Sequence, residues 1–242
     1  MQVTVSVGGK FHAFYLANQL HKRGVLQRFI TSYPKFEGVR SGIPRDKVSS
    51  YMSKELVQRM HKKLPGFLKD RIDPRYWLSE IYDLQVSHSL APTDIFVGWS
   101  SFSLHSMDVA HRSGSVLVLE RGSSHIECQR DLLIEEYESV GLQAALTLPH
   151  DRVVEKELSE YELADYIVVP SSFAKQSFLQ KGIPEEKLKQ IPYGVDLREF
   201  EPGNRSDSVF RIILAVQSPI GKACIILLRR FEIYNCQTLN CG

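Results

Sequence analysis

The segment "VLERGSSHIECQRD", residues 118–131, strings Glu120, Arg121, Ser123, Ser124, His125 and Glu127 along a glycine-hinged loop. Arg121 offers a planar fork that matches a carboxylate or phosphate. Ser123 and Ser124 can hydrogen-bond sugar hydroxyls, Glu127 can join them, and His125 can orient a reacting group. A plainer reading stands beside this one: a serine caps the next helix, while Arg121 and Glu127 pair at the surface. Two further stretches carry chemistry of the same kind. In "VSVGGKFH" (5–12), Gly8 and Gly9 let backbone approach a ligand, the following helix N-terminus offers free N–H groups to an anion, and His12 sits beside them. In "GWSSFSLHSMD" (98–108), Trp99 can stack on a sugar ring or fill the core, and His105 reads as structural. The histidines and cysteines show no zinc spacing, and GxSxG is missing, so metal-enzyme and hydrolase chemistry have no anchor.

Each of these stretches follows a short apolar run: "VTVSV" (3–7), "DIFVGW" (94–99) and "SVLVLE" (115–120), with "YIVVP" (166–170) as a fourth. Runs apolar on both sides must be covered on both faces, which is the mark of a parallel sheet between helices. Helical patterns fall between them. In 11–24, Ala13, Leu16, Ala17 and Leu20 recur at helical spacing and Gly24 closes the segment; 128–141 and 150–163 follow the same habit. The unit "ADYIVVPSSFAKQSFLQKGIPEEKLKQIPYGVD" (164–196) adds a strand, a serine-capped helix ending at Gly182, and a return to the sheet. The fold class expected is therefore α/β, a Rossmann-like, doubly wound, mostly parallel sheet, whose ligands bind at the carboxyl ends of the strands. Residues 35–75, rich in charge, Gly and Pro with one helix near 53–63, read as an excursion from that sheet.

With 242 residues, 43% hydrophobic and 24% charged, the chain can bury a sizeable core, and a net charge of +2 without basic runs gives no reason to expect nucleic acid. Cys128, Cys224, Cys236 and Cys241 form no CxxC pair, and the N-terminus is too short in apolar residues for a signal peptide, so a cytoplasmic location is expected. A basic cluster (His61, Lys62, Lys63, Lys69) around Leu64, Phe67 and Leu68 allows peripheral contact with anionic lipid, although a solvated helix face is the simpler reading.

The order of these motifs resembles retaining family 4 glycosyltransferases of the GT-B fold. Ala164, Asp165, Ser171, Ser172, Gly182, Pro184, Pro192, Gly194, Val195, Asp196 and Phe200 follow the pattern that closes the N-terminal domain of that family. "VGGKFHAFYLANQLHKRG" is similar to its first glycine-rich loop and helix, and "ERGSSHI" to the loop carrying its active-site histidine. The resemblance spans about residues 1–202 and implies transfer of a sugar, with retention, from a nucleotide-diphosphate donor to a glycan, lipid or other acceptor. It implies Gly8, Gly9 and Lys222 as donor-binding and His125 as the catalytic residue. The acceptor side would hold His12, Trp99, Arg121, Ser123, Ser124 and Glu127. It implies no cofactor beyond the donor and no required metal, since cations and a helix dipole can stabilise a leaving diphosphate.

The expected domains are 1–202, a linker at 203–209, and 210–242 as the start of a nucleotide-sugar-binding domain. Around that start the chain departs from the family: Val216, Gly221 and Ala223 stand where Gly, Arg and Gly are expected, and only Lys222 of a phosphate-gripping cluster is present. The family's downstream pair of glutamates does not appear, so a truncated and weakly active or inactive fragment is expected. A non-catalytic saccharide- or protein-binding module, dimeric through an uncovered face, is the competing reading. A dinucleotide oxidoreductase lacks its GxGxxG with a downstream acidic residue.

Overall fold

In the computed structural model, residues 1–65, 73–139, 148–194 and 197 are described. The strands are β1 (Val3–Val7), β2 (Leu26–Thr31), β3 (Val48–Ser50), β4 (Ile95–Trp99), β5 (Val116–Glu120), β6 (Tyr166–Val169) and β7 (Leu188–Gln190). They form one seven-stranded sheet in the order β3-β2-β1-β4-β5-β6-β7. Every neighbouring pair is parallel. This is the Rossmann order with one strand added beyond β6, and its topological switch point lies between β1 and β4.

Among the described residues, eight α-helices connect the strands: α1 (Ala13–Lys22), α2 (Lys35–Arg40), α3 (Ser53–Lys62), α4 (Arg75–Ser89), α5 (Leu104–Arg112), α6 (Ile126–Ser139), α7 (Asp151–Leu163) and α8 (Ser172–Gln180). The sheet divides the apolar side chains into two cores. Val3, Val5, Val7, Phe14, Leu26 and Phe29 gather in one, and Phe96, Leu117, Leu119, Ile167 and Phe178 in the other. Phe96 and Val97, adjacent in β4, go to different cores, as the period of two along a strand requires. Tyr82 lies wholly inside and still satisfies its hydroxyl, which donates to the Ile30 carbonyl at 3.1 Å and lies 3.1 Å from Ser6 Oγ.

The excursion expected at 35–75 is only partly one, because β3 lies inside it and pairs with β2. β2 is likewise a strand the apolar runs did not announce, since Gln27 and Arg28 interrupt it. Both edge strands are built alike. "GIPRDKV" (42–48) and "GIPEEKL" (182–188) each leave a helix through a glycine at φ +84°, turn at proline, and enter a three-residue strand. Ile43 N–H reaches back to the Gly38 carbonyl and Ile183 N–H to the Phe178 carbonyl, both at 3.1 Å. The left-handed glycine ends the helix, and proline then blocks its continuation. Ser171 caps α8 by accepting from the Ala174 N–H at 3.2 Å.

Met1–Gly194 forms one compact unit. The expected linker, the second domain, Lys222 and the three C-terminal cysteines lie outside the described residues.

Candidate functional site at the carboxyl edge of the sheet

The loops after β1, β4, β5 and β7 meet at the carboxyl edge, and four side chains converge there. His12, at the N-cap of α1, points Nε2 at Glu120 Oε2, 3.3 Å away. Its ring centroid lies 5.2 Å from Trp99 and 4.8 Å from Tyr193. Trp99 is 4% exposed and backs the imidazole, whereas Tyr193 is 54% exposed and offers a ring to solvent. Partial burial and then the nearby Glu120 carboxylate raise the Tyr193 phenol above its ordinary value. Gly122 is small for a reason: a Cβ there would come within 2.7 Å of the Tyr193 hydroxyl. The cluster joins a carboxylate, an imidazole and a phenol, all able to bond hydroxyl groups, with one exposed aromatic face.

Gly8 and Gly9 stand beside it, with a structural use for Gly8. A Cβ at Gly8 would fall 2.4 Å from Phe102 Cδ1, so the absent side chain admits that ring. The Gly8 carbonyl accepts from the Lys54 ammonium, and Ser32 Oγ lies 3.2 Å from it. Lys54 Nζ also sits 5.3 Å from the Phe102 centroid and 3.1 Å from Glu55 Oε1.

The 120–127 loop behaves differently from its neighbour. The Arg121 guanidinium faces inward, bonding the Ser124 carbonyl at 3.1 Å, Glu157 at 3.2 Å and Gln129 Oε1 at 2.8 Å. Glu157 also accepts from the hydroxyls of Tyr161 and Ser101, each at 2.5 Å. Glu160, one helical turn on, accepts from the backbone N–H groups of Ser101 at 2.7 Å and Ser103 at 2.8 Å. These bonds hold Ser101 in the left-handed region at φ +74°, where a residue with a side chain is strained. Burial, and then the Glu157 charge, push the Glu160 carboxyl up to about 8.

His125 is 2% exposed, with its ring 5.0 Å from both Tyr161 and Phe178. Its Nδ1 accepts from the Glu127 N–H at 3.3 Å, so the imidazole caps α6 and the expected serine cap is replaced. Burial pushes its pKa down to about 4, which keeps the ring neutral. Ser124 is buried, Ser123 half-buried, and Glu127 turns to Lys181 at 3.6 Å rather than to Arg121. Of the expected residues, then, the structure brings together Gly8, Gly9, His12 and Trp99. Arg121, Ser124 and His125 lie one layer inside. Tyr193 and Lys54 were not anticipated, although Tyr193 sits within the "IPYGVD" motif.

Among the described residues, Glu80, Asp83 and His105 come close enough to share a cation. Lys156 already supplies one, its Nζ lying 2.5 Å from Glu80 and 2.8 Å from Asp83. Those carboxylates raise the Lys156 pKa despite its burial. Asp83 also accepts from the His105 and Ser106 N–H groups at the start of α5. This trio has the connections of a structural clamp between α4, α5 and α7. His105 accordingly has the structural place expected for it, 2.9 Å from Glu80.

Of the basic cluster, Lys62 and Lys63 are exposed and His61 half-buried on α3, beside exposed Met52, Leu56 and Met60; Lys69, Phe67 and Leu68 lie outside the described residues. No helix among the described residues is long and apolar enough to cross a membrane.

No protein-family model matches the chain, and no curated protein does. Among solved structures, a protein named as a candidate UDP-N-acetylglucosamine 2-epimerase from Listeria monocytogenes is similar at 11% identity and a TM-score of 0.47. The match covers 77% of this chain and 44% of that one, so the chain spans less than half the length of that neighbour. The fold assignment stands on the strand order itself.

Proposed function

We propose that Met1–Gly194 is the acceptor-side domain of a retaining glycosyltransferase that uses a nucleotide-diphosphate sugar. The observation that carries this reading is the His12–Glu120–Trp99–Tyr193 cluster beside Gly8–Gly9, at the switch point where a doubly wound sheet binds its ligands. The motif series from Ala164 to Gly194 points the same way. Glu120 would accept from a hydroxyl of the acceptor, His12 would bond a second, and Tyr193 would lie against the sugar ring. The leaving diphosphate would be met by the free N–H groups of α1 and by donor-side cations, Lys222 among those proposed, with no metal required. His125 and Arg121 would act by fixing the loop that carries Glu120.

Two experiments test this. Saturation-transfer NMR across a panel of saccharides and nucleotide sugars should find ligands whose contacts vanish in Glu120→Gln and His12→Asn. Release of nucleoside diphosphate from the full chain, with and without a saccharide acceptor, reads turnover. Saccharide binding indifferent to both substitutions would overturn the reading. Binding without turnover would favour the non-catalytic saccharide module, and exposed Phe11, Tyr15 and Phe36 beside the Lys10–Glu37 pair would then suit a protein partner. Peripheral contact with an anionic membrane through the basic cluster at His61, Lys62 and Lys63, beside Met52 and the Leu56 and Met60 side chains of α3, belongs to the same proposal.

A further inference from the structure

Between α3, α4, the loop after β4 and the start of α7 lies a cavity of about 270 Å³. Leu78, Phe102 and Val153 give it an apolar floor, and Lys54, Arg75 and His150 stand in its walls. Among the described residues that line it there is no carboxylate.

Both cations are anchored from outside the lining. Arg75 is held by Asp73, at 2.6 Å, and by the Leu148 carbonyl, at 2.7 Å. Lys54, 8% exposed, is held by Glu55 and the Gly8 carbonyl. Asp73 and Glu55, which balance them, are not among the lining residues, so the charged side chains that line the cavity are cationic. Preset guanidinium and ammonium groups over an apolar floor match a ring-sized body with a strongly anionic head. The volume falls just below the roughly 300–1,000 Å³ of sites for drug-sized ligands, which points to something as small as a phosphorylated monosaccharide.

The cavity is coupled to the loop after β1. Phe102 lines it and also packs against Gly8, and Lys54 lies over that ring while bonding the Gly8 carbonyl. An anion that draws Lys54 towards itself would loosen its hold on Gly8. We infer that this cavity takes a small phosphorylated acceptor, its phosphomonoester against Lys54 and Arg75 and its ring over the apolar floor, with the far hydroxyls of that ring turned towards the His12–Glu120 cluster. The inference rests on the reading of this domain as the acceptor side.

Calorimetric titration of the full chain with glucose 6-phosphate, glucose and inorganic phosphate tests it, with ¹⁵N chemical-shift mapping to locate the ligand. Glucose 6-phosphate is expected to bind at least about 10-fold more tightly than inorganic phosphate, with glucose showing no binding here, and to shift Ser79, Ser101 and Val153. Lys54→Gln should weaken it at least about 10-fold, and Lys54→Arg should restore part of the loss. Because Lys54 also supports Gly8, Val153→Glu provides a second variant: it sets a carboxylate in the floor and should abolish binding with the melting temperature unchanged. Binding unaffected by both variants, shifts mapping elsewhere, or no preference over inorganic phosphate would overturn the inference. Saccharide contacts that depend on Glu120, measured in the same samples, separate the two readings. Their survival without cavity binding removes the cavity alone, and cavity binding without them removes the glycosyltransferase reading.

Discussion

Two clusters at the same edge of the same sheet have opposite fates. Around the loop after β4, Ser101 is gripped by Glu157 and Glu160 while Arg121 answers Glu157, and the side chains of Glu157, Glu160 and Arg121 are all buried. A few residues away Glu120, itself only 9% exposed, meets a partly exposed His12, which packs on the exposed ring of Tyr193. The first set has its bonding capacity satisfied inside the protein, and the second retains some for a ligand. Polar residues at the carboxyl end of a strand are thus candidates only; the partner each one finds decides whether it binds or braces.

The sharpest way to break this comparison is to remove one brace. Glu157→Ala leaves Arg121 buried without its counter-charge and deprives Tyr161 and Ser101 of an acceptor. Stability should fall by about 3–5 kcal/mol, the usual cost of breaking a buried pair. Urea titration of the variant against the parent measures it, and a loss under about 1 kcal/mol would erase the contrast between the two clusters.

The pH profile gives the next largest effect. Glu160 holds its proton up to about 8 in the folded chain against an ordinary 4.5, so its contribution is full below 4.5 and is lost as pH rises through 8. His125 is the opposite case: its folded value of about 4 lies below the ordinary 6.5, so its contribution is full above 6.5 and is lost as pH falls towards 4. Each group changes stability by at most about 1.4 kcal/mol per pH unit. Stability should therefore be highest between about pH 4.5 and 6.5, and Glu160→Gln should flatten the fall between pH 6.5 and 8 while leaving the loss below 4.5 in place. Thermal melts from pH 4 to 9 read both limbs; an alkaline limb unchanged in Glu160→Gln would assign the titration to another group.

A smaller effect tests the strain. Ser101→Gly relieves the left-handed backbone, a gain of about 1 kcal/mol, but removes a part-buried hydroxyl bond to a charged acceptor worth about 1.5–3 kcal/mol. Net loss is expected near 1 kcal/mol, seen as a lower urea midpoint, and a stabilised variant would show that the Ser101–Glu157 bond contributes little.

Much of the scaffold was legible in the sequence because continuous apolar runs announce strands covered on both faces; β1, β4, β5 and β6 fall where the runs put them. β2 was missed because Gln27 and Arg28 break its run, and β3 because three residues carry too little pattern. The signal that would have found β3 was present in the chain. "GIPRDKV" repeats the Gly-Ile-Pro turn of "GIPEEKL", and both lead to an edge strand. The site was only half legible. His12 and Trp99 follow strands directly, so strand ends located them, but the inward turn of Arg121 depends on Glu157, 36 residues away. No local spacing encodes that partner. Tyr193 was hidden for the same reason, since its relation to His12 exists only once β7 lies in the sheet.

The least costly change should be the most informative. Glu120→Gln keeps the shape of the side chain and removes a charge that faces a half-exposed His12 at 3.3 Å. Glu120 is 9% exposed, and a single hydrogen bond of this kind contributes about 0.5–1.5 kcal/mol, so the urea midpoint should fall far less than in Glu157→Ala. Saccharide contact by NMR should nevertheless weaken at least about 10-fold, because a carboxylate bonds a hydroxyl more strongly than an amide does. A change that spares the fold and removes the ligand belongs to the open cluster, and Glu157→Ala, one layer away, should do the reverse. Were Glu120→Gln to cost as much stability as Glu157→Ala, Glu120 would be a brace like the others, and the open cluster would lose its claim to be the binding site.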